Sequence, residues 1–213
     1  MRRISMTLAA VSVCIAGVAQ AQTPPAPAAS RRYAEFAVGP TFGHRSDVSF
    51  GVEGGIPLNE SFDVFAEGGR MRNIPTSDLD AAAAVVAQYI SGTGEARQSV
   101  GYFDVGVRYL IPTTLQLDPY VSLGLGVAKV TRSATFAVGG TDVTSQLLDR
   151  FGVQLGGDLS DSETSALLAF GLGARFNLTD KLIGDISYRY ARIFLTGQGL
   201  NTNRLSFGVG YRF

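Results

Sequence analysis

The sequence predicts an all-β chain, an eight-stranded up-and-down antiparallel transmembrane β-barrel with a polar, charged, glycine-rich interior. Three observations point there. Eight segments alternate apolar with small or polar residues at period two over roughly ten residues each, the length a tilted strand needs to cross a bilayer core. The opposite face of the same segments gathers charges and glycines, which a narrow closed barrel needs inside and which a solvent-facing sheet has no use for. The connections alternate between short and long, as they do at the two ends of a membrane barrel. Composition agrees: 46% of the 213 residues are hydrophobic and 26 are glycine, yet no apolar run beyond the N-terminus is long enough for a spanning helix. A net charge of zero leaves no electrostatic footprint for nucleic acid. One Cys and one His exclude a zinc cluster and a disulfide framework, so neither metal nor cofactor is expected.

The N-terminus reads as an address. Met1-Arg2-Arg3 is basic, Ile4 to Val18 is apolar and small, and Ala19-Gln20-Ala21 suits signal peptidase. Residues 1–21 are therefore expected to be a signal peptide and 22–32 a Pro/Ala-rich periplasmic linker, with the barrel domain at 33–213. Cys14 leaves with the leader, so thiol chemistry is unavailable to the mature chain.

The strands follow in order. Phe36, Val38 and Phe42 share the apolar face of the first (about 33–42), with Pro40 near its upper end. Val48, Phe50, Val52 and Ile56 mark the second (48–56), and Phe62, Val64 and Ala66 the third (61–71). There Phe65 falls among Asp63 and Glu67 on the inner face, and a bulge is expected to shift the register. Phe103, Val105, Val107, Tyr109 and Ile111 mark the fourth (98–111), and Val121, Leu123, Leu125 and Val127 the fifth (119–132). The sixth (164–177) has Ala166, Leu168, Phe170, Leu172 and Phe176; the seventh (182–194) has Leu182, Ile186, Tyr188 and Tyr190. In the last, Leu205, Phe207, Val209, Tyr211 and Phe213 alternate with Ser206, Gly208, Gly210 and Arg212. Aromatic residues collect near strand ends, as in interfacial girdles.

The inner faces carry six acids (Glu35, Glu53, Asp63, Glu67, Asp104, Asp185) and four arginines (Arg108, Arg175, Arg189, Arg212). Buried charges need partners, so a paired network plugging the bore is expected, with Arg175 and Arg189 central. Short turns fall at 57–60, 112–118 and 178–181, and long loops at 72–97 and 133–163. Asp78–Tyr89 suits a helix capped by Thr76 or Ser77, and Thr144–Phe151 a helical turn or two. Thr135–Val138 and Phe151–Leu155 look strand-like and are expected to pair as a hairpin extension, with Gly139-Gly140 near a turn.

The ending on Phe213, with Leu205, Phe207, Val209 and Tyr211 alternating upstream, resembles the terminal strand by which Gram-negative outer-membrane β-barrels are recognised by their assembly machinery. Asp185-Ile-Ser-Tyr-Arg-Tyr-Ala-Arg192 is similar to the penultimate strand of small eight-stranded opacity/OmpA-like barrels, a porin-like class. The resemblance implies an integral protein of the Gram-negative outer membrane, a monomer with both termini periplasmic. Its partners would be outer-membrane lipids and lipopolysaccharide, the barrel assembly machinery, and an extracellular ligand at the second and third outer loops. The function it implies is non-enzymatic, supporting envelope integrity and presenting long loops. Lys129, Arg132 and Arg192, near the upper rim, are expected to snorkel towards outer-leaflet phosphates.

Two other readings stand beside it. One is a narrow channel for small or hydrophobic solutes. The other is a lipid A-modifying enzyme using His44: this His, with Ser46 and Asp47 on one outer loop and Ser77 and Asp78 on the next, resembles the arrangement in eight-stranded lipid A palmitoyltransferases. A charged interior, with no apolar slot for an acyl chain, speaks against the enzyme.

Overall fold

In every spanning segment the alternation seen in the sequence becomes an inside and an outside. In the computed structural model, which describes residues 32–157, 159–197 and 199–213, Glu35 is 7% exposed while its neighbour Phe36 is 54% exposed. The expected signal peptide and nearly all of the linker lie outside the described residues.

The elements run β1 (Tyr33–Phe42), β2 (Val48–Pro57), β3 (Phe62–Met71), α1 (Ser77–Tyr89), β4 (Thr93–Leu110), β5 (Leu117–Val138), β6 (Thr141–Asp142), α2 (Leu147–Phe151), β7 (Asp161–Asn177), β8 (Leu182–Phe194) and β9 (Gly199–Arg212). Each long strand pairs antiparallel with its neighbour in sequence, β5 pairs β7, and β1 pairs β9 to close a ring of eight. Closure removes every long free edge, a condition for a sheet that faces lipid. β3 pairs in unbroken register with both neighbours, from Asp63 to Met71. The expected bulge is therefore absent: Phe65 enters the bore because arginines lie across its ring. Two short turns are built alike. In 58–62, Leu58 N–H bonds Phe62 O and Asn59 Oδ1 accepts from Phe62 N–H at 2.9 Å. In 178–182, Leu178 N–H bonds Leu182 O and Thr179 Oγ1 accepts from Leu182 N–H at 2.9 Å.

At the other end the strands outrun the sequence reading. β4 begins at Thr93 and β5 continues to Val138, and their register holds from Thr93↔Ala137 down to Leu110↔Tyr120. In this extension the phase of the alternation inverts. Arg97, Thr131 and Ser133 now face outward, while Ala96, Val130, Ala134 and Phe136 are buried. Outside the membrane the sheet meets water on its outer face, so the apolar residues turn inward. The pairing of β5 with β7, the sixth spanning strand, ends at Arg132↔Asp161, and beyond it Ser133–Ala137 pair with β4 rather than with the sixth spanning strand as expected. Phe151–Leu155 is not a strand. Gly152, at φ +66°, ends α2 in the left-handed conformation that suits glycine. Gly139 and Gly140, at φ +58° and +82°, make the expected turn, which leads into the two-residue β6.

α1 forms where the alanine-rich stretch predicts it. Thr76 Oγ1 accepts from Leu79 N–H at 3.3 Å as the cap, and Asp78 and Asp80 occupy the first turn. Its buried residues Leu79, Ala83 and Ala87 recur at every fourth position and pack with Ala96, Ala134, Phe136, Val143, Leu147 and Leu159. Among the described residues no helix is long and apolar enough to cross a membrane; the crossing is made by strands.

Candidate functional site: the closed bore and its cap

The bore is filled by two stacked layers of different chemistry. The lower is ionic. Arg108, from β4, donates to Glu53 Oε1 at 2.7 Å and to the Tyr33 hydroxyl at 2.5 Å, while that hydroxyl donates to the same Glu53 oxygen at 2.5 Å. Arg175, from β7, lies 3.6 Å from Glu35, 3.8 Å from Glu53 and 3.8 Å from Asp185. Tyr120 donates to Asp185 Oδ1 at 3.0 Å. The rings also face the cations: the Arg175 guanidinium carbon lies 3.8 Å from the centroid of Tyr33 and that of Arg108 lies 4.1 Å from Tyr120.

A second cluster sits one step higher. Arg189, from β8, pairs with Asp104 at 2.7 Å and with Glu67, and reaches Glu53 at 3.9 Å, which joins the two clusters. Tyr102 donates to Glu67 Oε1 at 2.7 Å, and Arg204, from β9, contacts both of them. An arginine, a tyrosine and a glutamate thus form the same three-membered contact twice, Arg108–Tyr33–Glu53 and Arg204–Tyr102–Glu67. Phe65 lies beneath two of the cations, 4.9 Å from Arg189 and 5.3 Å from Arg108. The glycines make room: a Cβ on Gly124 would sit 2.9 Å from both Arg189 Nη2 and Asp104 Oδ2. A space left among Glu35, Glu53, Arg108, Asp185 and Arg189 measures about 20 Å³, enough for a water and too little for a solute.

Above the ions the interior turns apolar. Met71, Val100, Ala128, Val130, Leu167, Ala169, Ala191, Ile193 and Leu200 are buried together. The interior is therefore not charged throughout, as the sequence suggested. The apolar layer is packed; the space at its boundary with the ions, beside Met71, Tyr102, Leu167 and Arg204, is about 10 Å³. α1, the β4–β5 extension and α2 lie beyond it as a cap.

Nine of the ten expected interior charges are buried: Glu35, Glu53, Asp63, Glu67, Asp104, Arg108, Arg175, Asp185 and Arg189. Asp63 stands in register with Arg108. Arg212 is the correction. It lies partly exposed at the end of β9, in register with Tyr33, where it donates to Asn177 Oδ1 at 2.8 Å. Arg204 takes the fourth cationic position, and Tyr33, Tyr102 and Tyr120 bring the hydroxyls; sequence reasoning missed all four. Parity was the available signal, since Tyr102 and Arg204 fall on the Asp104 and Ser206 faces of their strands. Of the terminal residues, Phe207, Val209, Tyr211 and Phe213 are exposed on the outer face and Leu205 half-buried there.

His44 does not meet Ser77. Its Nε2 lies 2.9 Å from Asp80 Oδ2, which also takes Arg45 Nε at 3.1 Å, so the first outer loop is clasped to α1. The Ser77 hydroxyl bonds Asp78 at 3.4 Å. Arg132 lies on the inner face between Val130 and Ala134, not on the lipid side. Among the described residues no group of three His, Cys, Asp or Glu is arranged to hold a metal ion.

Residues 6–213 match the sequence model of the outer membrane protein beta-barrel domain. No curated protein matches the sequence. Among solved structures, the chain is similar to Neisserial surface protein A (NspA), with a TM-score of 0.53 at 16% identity over 85% of this chain and 96% of that one. It is also similar to the N-terminal β-barrel domain of Pseudomonas aeruginosa OprF (TM-score 0.48, 14% identity, 85% and 97% covered). The attachment invasion locus protein Ail of Yersinia pestis gives 0.46 at 18% identity, with 86% and 99% covered.

Proposed function

We propose, for a chain that belongs to the outer membrane protein β-barrel family, that it is a non-enzymatic structural barrel of the Gram-negative outer membrane. It supports envelope integrity and holds a folded cap at the cell surface for interaction. The observation that carries this is the doubly filled bore: an ionic layer and an apolar layer in series, with spaces of about 20 and 10 Å³. Material of that kind stiffens a barrel and conducts nothing. The short turns at 58–62 and 178–182 lie at the periplasmic end with both termini, and α1 and the β4–β5 extension face the medium. The leader at 1–21 directs export and the terminal strand engages the assembly machinery.

Two measurements test the reading. The full mature chain in planar bilayers is expected to show no steady conductance; a large steady one would establish the channel reading instead. A deletion strain, sensitised to detergent, is expected to be rescued by a variant in which a short Gly-Ser turn replaces 75–91. Failure of that variant, correctly inserted, would move the working part from the barrel to the cap.

A further inference from the structure

The buried charges of the bore do not balance. Six acids and only four arginines are enclosed there. With every acid ionised the layer would carry an excess of two negative charges, in a place where an uncompensated charge is costly. The shortfall falls on Glu35 and Asp185. Both lean on the one guanidinium of Arg175, at 3.6 and 3.8 Å, beyond hydrogen-bond reach. Glu35 Oε2 and Asp185 Oδ2 are enclosed and accept no hydrogen bond from the described residues. Gly208 is the register partner of Asp185, and a Cβ placed on it would collide with the Glu35 carboxyl. The two carboxyls thus approach each other over a glycine, with no side chain between them. The other groups around the pair are already engaged. Glu53 from β2 holds Arg108 from β4 at 2.7 Å, and the Tyr120 hydroxyl from β5 donates to Asp185 Oδ1 at 3.0 Å. Both acids border the space of about 20 Å³ in the ionic layer.

We propose that Glu35 and Asp185 are a proton-binding pair, in which a protonated Glu35 donates to Asp185 Oδ2. Two neighbouring carboxyls that share one distant cation in an enclosed site do not both ionise. A proton makes one of them a donor, and so supplies the bond that the orphan oxygen of the other lacks. Asp185 is the acceptor because Tyr120 already donates to its other oxygen. Glu35 carries the proton, which removes one of the two excess charges and leaves Arg175 a single carboxylate to serve. The commitment to a proton over a metal ion follows from the donor set: among the described residues no group of three His, Cys, Asp or Glu is arranged to hold one. The proposal rests on the closed bore, since a water-filled channel would solvate both acids.

The test is infrared difference spectroscopy on the full mature protein in lipid vesicles near neutral pH, reading the C=O stretch of protonated carboxyls. The difference between wild type and Glu35→Gln is expected to show the band of one such carboxyl per chain. Asp185→Asn is expected to remove the same band, because Glu35 then faces Arg175 alone and ionises. Glu95→Gln, at an exposed acid paired with Arg97 in the strand extension, is expected to leave it in place. A measurement on the wild type needs no variant to fold: labelling the glutamate carboxyls with carbon-13 is expected to shift the band. A wild type without a protonated-carboxyl band overturns the proposal, while planar-bilayer conductance, read separately, still decides the plugged-barrel reading. A band that the glutamate label does not move, or that persists at full strength in both folded variants, overturns the assignment to this pair. A band seen only when sodium is withheld also overturns it, since the neutralising ion would then be sodium.

Discussion

Gly124 sets the tolerance of the bore. Any side chain there pushes on Arg189 and Asp104, two members of a salt bridge at 2.7 Å that is itself enclosed. Gly124→Ala is expected to lower stability by about 1–3 kcal/mol in reversible urea unfolding in lipid vesicles. Gly101→Ala, where a methyl meets nothing, should stay within about 0.5 kcal/mol. Equal effects would mean that the glycines are not there to make room. Removing a charge is costlier. Arg189→Ala leaves Asp104 without its arginine and Glu67 with Arg204 and Tyr102 alone, and a broken buried pair costs about 3–5 kcal/mol. His44, by contrast, meets Asp80 and no nucleophile; His44→Ala is expected to leave the lipid A mass spectrum unchanged, and a lost acyl modification would refute the non-enzymatic reading. The inner acids were legible because each alternates with lipid-facing apolar neighbours. Arg204 was missed although its parity with Ser206 gave its face, because Asn201-Thr-Asn203 before it is polar throughout and the apolar alternation that marks the strand starts only at Leu205. Arg212 misled for the opposite reason: parity gives the face of a residue and not its depth, and it sits at the strand end.

At the scale of elements, the boundary between membrane and medium is written as an inversion of phase. Along β5 the outward residues pass from Leu125 and Val127 to Lys129, Thr131 and Ser133, while the inward ones pass from Gly124 and Gly126 to Val130, Ala134 and Phe136. A reading that follows one apolar face stops at the crossing, which is why β4 and β5 appeared shorter than they are. The cap beyond the crossing depends on local hydrogen bonds. Thr76→Ala is expected to cost α1 about 1 kcal/mol, seen as faster amide exchange within 77–89 and an unchanged barrel. At the hairpin tip, Thr144 N–H donates to Asp142 Oδ1 at 2.8 Å, and these bonds to Thr144 hold the Asp142 carboxyl below its ordinary range. A carboxyl lowered in the folded state contributes stability above its unfolded pKa and loses it as pH falls through the lowered value. Amides of the tip should therefore exchange faster, relative to a chemical-rate control, as the medium is acidified below the usual carboxylate range. Asp142→Asn should remove that dependence; a tip indifferent to pH in the wild type would show that this bond does not order it.

For the whole molecule the question is which layer closes it. Three are stacked: the ions centred on Glu53 and Arg189 in the bore, the apolar side chains around Leu167 and Ile193, and the cap under α1. Their chemistry makes the first two sufficient. The ions are cross-linked through Arg189 between clusters drawn from β2, β3 and β4, so moving one displaces several, and the apolar layer offers water no partner. The cap is different in kind. It packs on the strand extension above the membrane, where its removal exposes Ala96, Ala134 and Phe136 to solvent while every ionic contact in the bore remains. Replacing 75–91 with a short turn is therefore expected to leave a barrel that inserts, shifts on heating and stays closed in planar bilayers. A steady conductance appearing only in that variant would make α1 the seal, and with it a gate.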